Sequence, residues 1–307
     1  MKTENFEFKA SDEHPVFVHA WLPETTPRGV IHIAHGMGEH AKRYEWVAGK
    51  LVDQGFAVFA DDHRGHGNTA DTLGRFGPDG WNRTIKDLAE MIASHQVRFP
   101  GVPTIFFGHS MGAMLAQQYI ATHGESIDAV VLSGSPGFTG WLQGFVTKLV
   151  VRFECWRKGP EGESPLLQSL LFGAANKAFE DDVPAPSGYE WLSRDLEQVR
   201  FYVEDPFCGF VPCPGSLRDI SEGATWTQST EAINNIPAGL PMLIFSGDAD
   251  PVHNELKNLN RMIAAYEGHG LKPEKRLYPG GRHEMLNETN RDEVINDVVG
   301  WLNRQFK

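Results

Sequence analysis

Residues 104–123 read Thr104-Ile105-Phe106-Phe107-Gly108-His109-Ser110-Met111-Gly112-Ala113-Met114-Leu115-Ala116-Gln117-Gln118-Tyr119-Ile120-Ala121-Thr122-His123. The first four residues form a short buried-strand pattern, and 111–123 form an apolar helix pattern. Between them stands Gly108-His109-Ser110-Met111-Gly112, a G-x-S-x-G pentapeptide in the strand–turn–helix setting that this motif requires. A nucleophilic serine there sits on a sharp turn in strained dihedrals, with its hydroxyl projecting from the sheet. Side chains at 108 or 112 would collide with neighbouring backbone, which is why both are glycine. The helix start aims free N–H groups and a positive dipole end at the reacting centre.

Strand and helix patterns alternate outward from this point. Phe6 and Phe8 alternate with polar residues, Ser11 to Pro15 gives a turn, and Val16 to Trp21 a second strand, so the chain opens with a hairpin. Residues 29–34 and 56–60 read as buried strands, and 41–54 and 84–98 as helices. Ala129 to Leu132 is another strand. After a long interval come a strand at 242–245, a helix near 254–267, a strand at 274–278 and a helix near 290–305. Thr289 with Asp292 predicts a capping box at the start of that last helix. Such alternation implies an α/β fold with a mostly parallel sheet and helices on both faces.

Residues 1–134 and 236–307 are read as this core, and 135–235 as an inserted, mainly helical cap. The insertion carries Pro160, Pro165, Pro184, Pro186, Pro206, Pro212 and Pro214, which break long elements. It leaves the sheet where open α/β folds bind ligands, so part of it is expected to cover the site. It also holds Trp141, Leu142, Phe145, Leu149, Val150 and Phe153 at near-helical spacing. That stripe either packs on the main domain or lines a substrate cavity.

Composition excludes several function classes. The apolar fraction of 41% and charged fraction of 22% fit a globular chain. No apolar run approaches the ~18–20 residues of a membrane-spanning helix. The net charge of −12 argues against nucleic acid and against an anionic membrane surface. Three cysteines without a C-x-x-C pair make neither a disulfide framework nor a zinc site. The N-terminus lacks a signal-type apolar region, and a cytoplasmic location is expected.

A serine nucleophile needs a base and an orienting carboxylate. His283 lies in a loop after the last strand pattern, within Gly281-Arg282-His283-Glu284. Asp250 lies after the preceding strand, and Pro251 biases its backbone toward extension. Asp248, the alternative, is assigned a local turn bond. The order Ser…Asp…His is that of nucleophile-elbow hydrolases. The loop His35-Gly36-Met37-Gly38-Glu39-His40 follows a strand, and Gly36 and Gly38 permit close backbone approach. The N–H groups of Met37 and Met111 are therefore expected to form the oxyanion hole. Metal sets built from His32, His35 and His40, or from Asp61, Asp62, His63 and His66, have no ligand pattern behind them. Neither a metal nor a cofactor is expected. With His283 as base, the rate should rise as its proton leaves, near the reference value of ~6.5.

Five stretches together resemble the monoglyceride lipase and lysophospholipase branch of the α/β-hydrolases, a serine-aminopeptidase-like family. They are His35 to His40 with Arg43-Tyr44, Asp62-His63-Arg64-Gly65-His66-Gly67, Gly108 to Gly112, Gly247 to Val252 and Gly281 to Glu284. The resemblance implies the α/β-hydrolase fold, Ser110, Asp250 and His283 as catalytic residues, and Met37 and Met111 as oxyanion donors. It also implies that Gly36, Gly38, Glu39, Arg43 and His109 support these loops, and that Asp62 to Gly67 form a structural turn. Arg64 is placed at the surface and Asp62 in a turn cap. The elbow departs from the pattern at Ala113, where glycine is frequent, and the insertion is long for such a cap. Its net charge is −6. The implied activity is hydrolysis of carboxylic esters such as monoacylglycerol or lysophospholipid, a small-molecule substrate. A same-fold aminopeptidase, thioesterase or other carboxylesterase is the rival, followed by a non-catalytic binding protein. Sequence leaves the oligomeric state open.

Overall fold

Strands that are apolar at every position need cover on both faces. Along 129–132, Ala129 and Val131 join one core cluster and Val130 and Leu132 another, because successive side chains point to opposite faces. Met242 and Ile244 alternate in the same way with Leu243 and Phe245.

The structure, a computed structural model, describes residues 1–306. The strands are β1 (Lys2–Lys9), β2 (Pro15–Leu22), β3 (Gly29–Ala34), β4 (Phe56–Asp61), β5 (Thr104–His109), β6 (Ala129–Ser133), β7 (Met242–Gly247) and β8 (Glu274–Tyr278). They form one eight-stranded sheet in the order β1-β2-β4-β3-β5-β6-β7-β8. β1 and β2 make the expected hairpin, with Phe6 opposite Val18 and Phe8 opposite Val16. β2 pairs antiparallel with β4, and every later pairing is parallel. This is the sheet of an α/β-hydrolase.

The helices are α1 (Glu45–Val52), α2 (Gly80–Arg98), α3 (Met111–His123), α4 (Trp141–Lys158), α5 (Pro165–Gln168), α6 (Ala174–Asn176), α7 (Leu196–Glu204), α8 (Pro214–Trp226), α9 (Thr230–Asn234), α10 (Lys257–Gly268) and α11 (Arg291–Gln305). α1 and α11 cover one face of the sheet through Val47, Leu51, Val298 and Trp301. α2, α3 and α10 cover the other through Leu88, Leu115 and Met262. α4 to α9 all lie between β6 and β7, a stretch with no strand.

Several expectations need correction. The helix read at 41–54 is a 3-10 turn, Ala41–Tyr44, followed by α1, which stops at Val52. Gly55, at φ +85°, turns the chain into β4. The Thr289–Asp292 capping box does not form. Thr289 spends its N–H and hydroxyl on the carboxylate of Glu288, and α11 begins after Asn290. Of the apolar stripe of α4, Val150 packs on the core, and most of the rest is exposed. α4 packs through its other edge, where Val151 is buried, while Trp141 and Trp156 are more than four-fifths exposed and Leu142, Phe145, Leu149 and Phe153 about half. Arg64 is not a surface charge. It is buried and paired with Asp87 and Asp12.

The elbow depends on its glycines. A Cβ on Gly108 would strike the Gly112 carbonyl, and one on Gly112 the carbonyls of Ala34 and His35. Since backbone cannot step aside as a flexible side chain can, Gly112→Ala should lose about 2–3 kcal/mol by overpacking. Thermal unfolding should show Tm lowered by roughly 4–10 °C; an unchanged Tm would contradict this packing.

Candidate active site

β5 ends at His109 and α3 starts at Met111, which leaves Ser110 as the single residue of the turn. It has φ +53° and ψ −112°, outside the regions that a serine occupies without strain. Its N–H donates to the Ser133 carbonyl at 2.9 Å, and its carbonyl accepts from Ala113 at 3.0 Å, so the backbone is fixed on both sides.

The loops after β7 and β8 reach the same point. Ser110 Oγ lies 2.8 Å from His283 Nε2, and His283 Nδ1 lies 2.9 Å from Asp250 Oδ2. A carboxylate facing Nδ1 places the proton there and leaves Nε2 to accept from the hydroxyl. Asp250 also accepts the Val252 N–H and the Ser246 hydroxyl. Burial pushes Asp250 toward its neutral form, but the imidazole opposite holds its pKa below the ordinary value. Burial likewise pushes His283 down, and the Asp250 charge outweighs it, so the imidazole ends above its ordinary value. Asp248 takes no part; it is exposed and accepts the Gly280 N–H at 2.7 Å.

The loop after β3 closes the third side. Glu39 Oε1 accepts the Gly36 N–H at 2.6 Å and the Tyr44 hydroxyl at 2.9 Å. Arg43 bonds Glu39 and forks onto both oxygens of Glu284 at 2.8 and 2.7 Å. Burial would raise Glu284, but the guanidinium holds it at about 2. The loops carrying Met37 and His283 are thus joined through one half-buried cation. Gly38 adopts φ +68°, with its N–H on His66 Nε2 and its carbonyl accepting from Tyr202. Among the described residues the N–H groups of Met37 and Met111 have no acceptor, so both remain free for a ligand. His109 is buried, with Nδ1 on Ser133, and its ring sits 4.9 Å from that of His283. Burial and the neighbouring imidazole push it down to about 4, so it is a neutral packing group.

The pocket at Ser110 is small, with a cavity of about 30 Å³, room for one water. Phe172, Trp191, Leu192 and Tyr202, from the chain between β6 and β7, line it. Sequence reasoning missed all four; even in amphipathic α7, where Val199 and Tyr202 are buried one turn apart, the pattern reports burial and not the site. It also left Glu284 unassigned, although the residue stands next to His283 in a quoted motif. The 190–194 segment is tied to the His283 loop: Glu284 N–H donates to the Leu192 carbonyl, Arg282 to the Glu190 carbonyl, and Arg194 to Glu288.

Residues 25–290 match the family model described as serine aminopeptidase, S33. The chain belongs to this family of hydrolases. The human monoglyceride lipase is 36% identical over 303 residues, covering 95% of this chain and 87% of that protein. The monoacylglycerol lipase of Mycolicibacterium smegmatis is 30% identical over 295 residues, covering 92% and 90%. A thermostable carboxyl esterase from Bacillus coagulans, solved in complex with glycerol, superposes with a TM-score of 0.90 at 27% identity over the full length of both chains. These matches run through most of residues 135–235.

In this hydrolase three of the histidines weighed as metal ligands are engaged in hydrogen bonds with their surroundings. His32 and His63 both bond Asp61, and His35 bonds the Gly36 carbonyl and the His63 N–H. Asp62 caps the turn by accepting the Ala41 and Asn68 N–H groups. Donor atoms do converge at His40, Asp205 and Cys208, a set not weighed from sequence. Among the described residues no helix is long and apolar enough to cross a membrane.

Removing Arg43 would strand two buried carboxylates. Arg43→Ala should cost about 3–5 kcal/mol, read as a lowered midpoint in urea unfolding. A loss below ~1 kcal/mol would show that the network carries little.

Proposed function

We propose that this hydrolase cleaves carboxylic esters of lipid type, monoacylglycerols or lysophospholipids, through an acyl-enzyme on Ser110. The observation that carries the reading is the Ser110–His283–Asp250 hydrogen-bond chain ending beside two free N–H groups, those of Met37 and Met111. In this reading Ser110 Oγ attacks the ester carbonyl while His283 Nε2 takes its proton. The carbonyl oxygen becomes an oxyanion held by the two N–H groups, each supplying ~3–4 kcal/mol. The intermediate collapses, and His283 returns the proton to the leaving alcohol oxygen. A water activated by His283 then releases the acid and restores the serine. Asp250 keeps the imidazole in the required tautomer and stabilises its charged form. Residues 135–235 act as a cap on a core of 1–134 and 236–307.

An ester is favoured over a peptide N-terminus by charge accounting. An aminopeptidase needs a free carboxylate for the substrate amine. Glu204 pairs with Arg200, Asp205 bonds His40, and the pocket carboxylates Glu39 and Glu284 are both held by Arg43. The names of the relatives support the lipid class.

A fluorophosphonate should label Ser110, and Ser110→Ala should abolish both labelling and monoacylglycerol turnover. Full activity in that variant would end the proposal. The base works only as neutral imidazole, and its pKa is raised in the folded protein. kcat/KM should therefore fall as pH drops through a midpoint above ~6.5, higher than sequence alone implies. Asp250→Asn should move that midpoint down; an acid limb at or below pH 6 in the wild type would contradict the assignment.

A further inference from the structure

Away from the reacting serine, an imidazole, a carboxylate and a thiol meet. The ligand atoms of His40, Asp205 and Cys208 lie within 4.8 Å of one another. Two distant stretches supply them. His40 ends the loop that carries Met37. Asp205-Pro206-Phe207-Cys208 is a tight turn after α7, in which the Cys208 N–H donates to the Asp205 carbonyl at 3.0 Å. Proline in the second position presets such a turn, and the turn brings residues 205 and 208 together.

The groups are held in place beforehand. The Phe207 N–H donates to Asp205 Oδ1 at 2.8 Å, and Asp205 Oδ2 faces His40 Nε2 at 3.0 Å. The Phe207 ring packs edge-on against the His40 ring, centroids 5.8 Å apart. Cys208 is a free thiol. The guanidinium of Arg43, the cation that acts on this thiol, is already taken up by Glu39 and Glu284. The cluster therefore offers a dication two compensating negative charges, one on the carboxylate and one on the thiolate.

We propose that His40, Asp205 and Cys208 bind a zinc-type divalent cation, which clamps the loop of Met37 to the chain after α7. Mixed nitrogen, sulfur and oxygen donors suit zinc, whereas calcium and magnesium take oxygen. A tetrahedral zinc holds nitrogen and oxygen at ~2.0–2.2 Å and sulfur at ~2.3 Å, which sets its donors roughly 3.3–3.8 Å apart. Side-chain rotation suffices to reach that spacing. On binding, the thiol proton leaves to solvent and the proton on His40 Nε2 moves to Nδ1, so that both atoms present lone pairs. A water completes the fourth position, and the part-exposed Asp205 leaves a way in. None of the three residues lines the Ser110 cavity, so the ion is a clamp and not a participant in bond breaking. It reinforces a link already present, the Gly209 N–H on the Gly38 carbonyl at 2.9 Å.

The test titrates the metal-free full chain with Zn²⁺ against a chromophoric chelator, and with Co²⁺ as a spectroscopic stand-in. The wild type should bind one Zn²⁺ with micromolar or tighter affinity, gain Tm on binding, and show a thiolate-to-cobalt charge-transfer band. Cys208→Ala should lose that band, and both Cys208→Ala and Asp205→Asn should weaken Zn²⁺ binding at least about tenfold. Cys213→Ala, outside the cluster, should keep band and affinity. Millimolar binding by the wild type, or no band, would overturn the proposal. So would a band that survives in Cys208→Ala, since the ion would then sit on another thiol. Should Cys208→Ala fail to fold by circular dichroism, unchanged Zn²⁺ affinity in Asp205→Asn overturns the proposal by itself.

Discussion

Ser110 stands in a backbone conformation worth about 1–3 kcal/mol of strain, and the architecture around it exists to hold that conformation. β5 enters from the centre of a parallel sheet, and α3 leaves at once. The Ser133 carbonyl pins the N–H between them. Glycines at 108 and 112 let the turn press against neighbouring backbone. Because the sheet is covered on both faces, β5 cannot relax without disturbing two cores.

The second organising element is ionic. Arg43 sits between Glu39 and Glu284, one carboxylate from the loop after β3 and the other from the loop after β8. These loops are 241 residues apart in sequence at Arg43 and Glu284. One presents a free N–H, the other an imidazole, and their separation has to be set to fractions of an ångström. A planar guanidinium with fixed donor directions can impose that spacing, whereas a flexible ammonium cannot.

What sequence revealed follows from locality. The strands were legible because parallel strands buried on two faces are apolar throughout. Ser110, Asp250 and His283 were legible because each lies in a short loop just after a strand, with glycine or proline beside it. The roof was not. Phe172, Trp191, Leu192 and Tyr202 meet Ser110 only through the folding of residues 172–202, whose local patterns report burial and not the site. The stripe of α4 is read as packed on the main domain or lining a cavity, yet beyond Val150 most of it stays open, since periodicity reports amphipathicity and not what covers it. Thr289 looked like a cap until Glu288, buried by its bonds to Arg194 and the Arg282 N–H, claimed its hydroxyl. The raised His283 value likewise arises from a carboxylate brought near by the fold.

The bonds tying 190–194 to the loop of His283 have a mechanical consequence. Any hinge that carried Leu192 or Trp191 outward would drag the imidazole off the serine. The chain around Phe172 is tied in as well, because Asn176 donates to Glu190 and accepts the Trp191 N–H, and the Phe172 ring lies against Trp191. The wall of the pocket and the imidazole loop thereby make one mechanical piece, in which a shift of the wall is also a shift of the proton path.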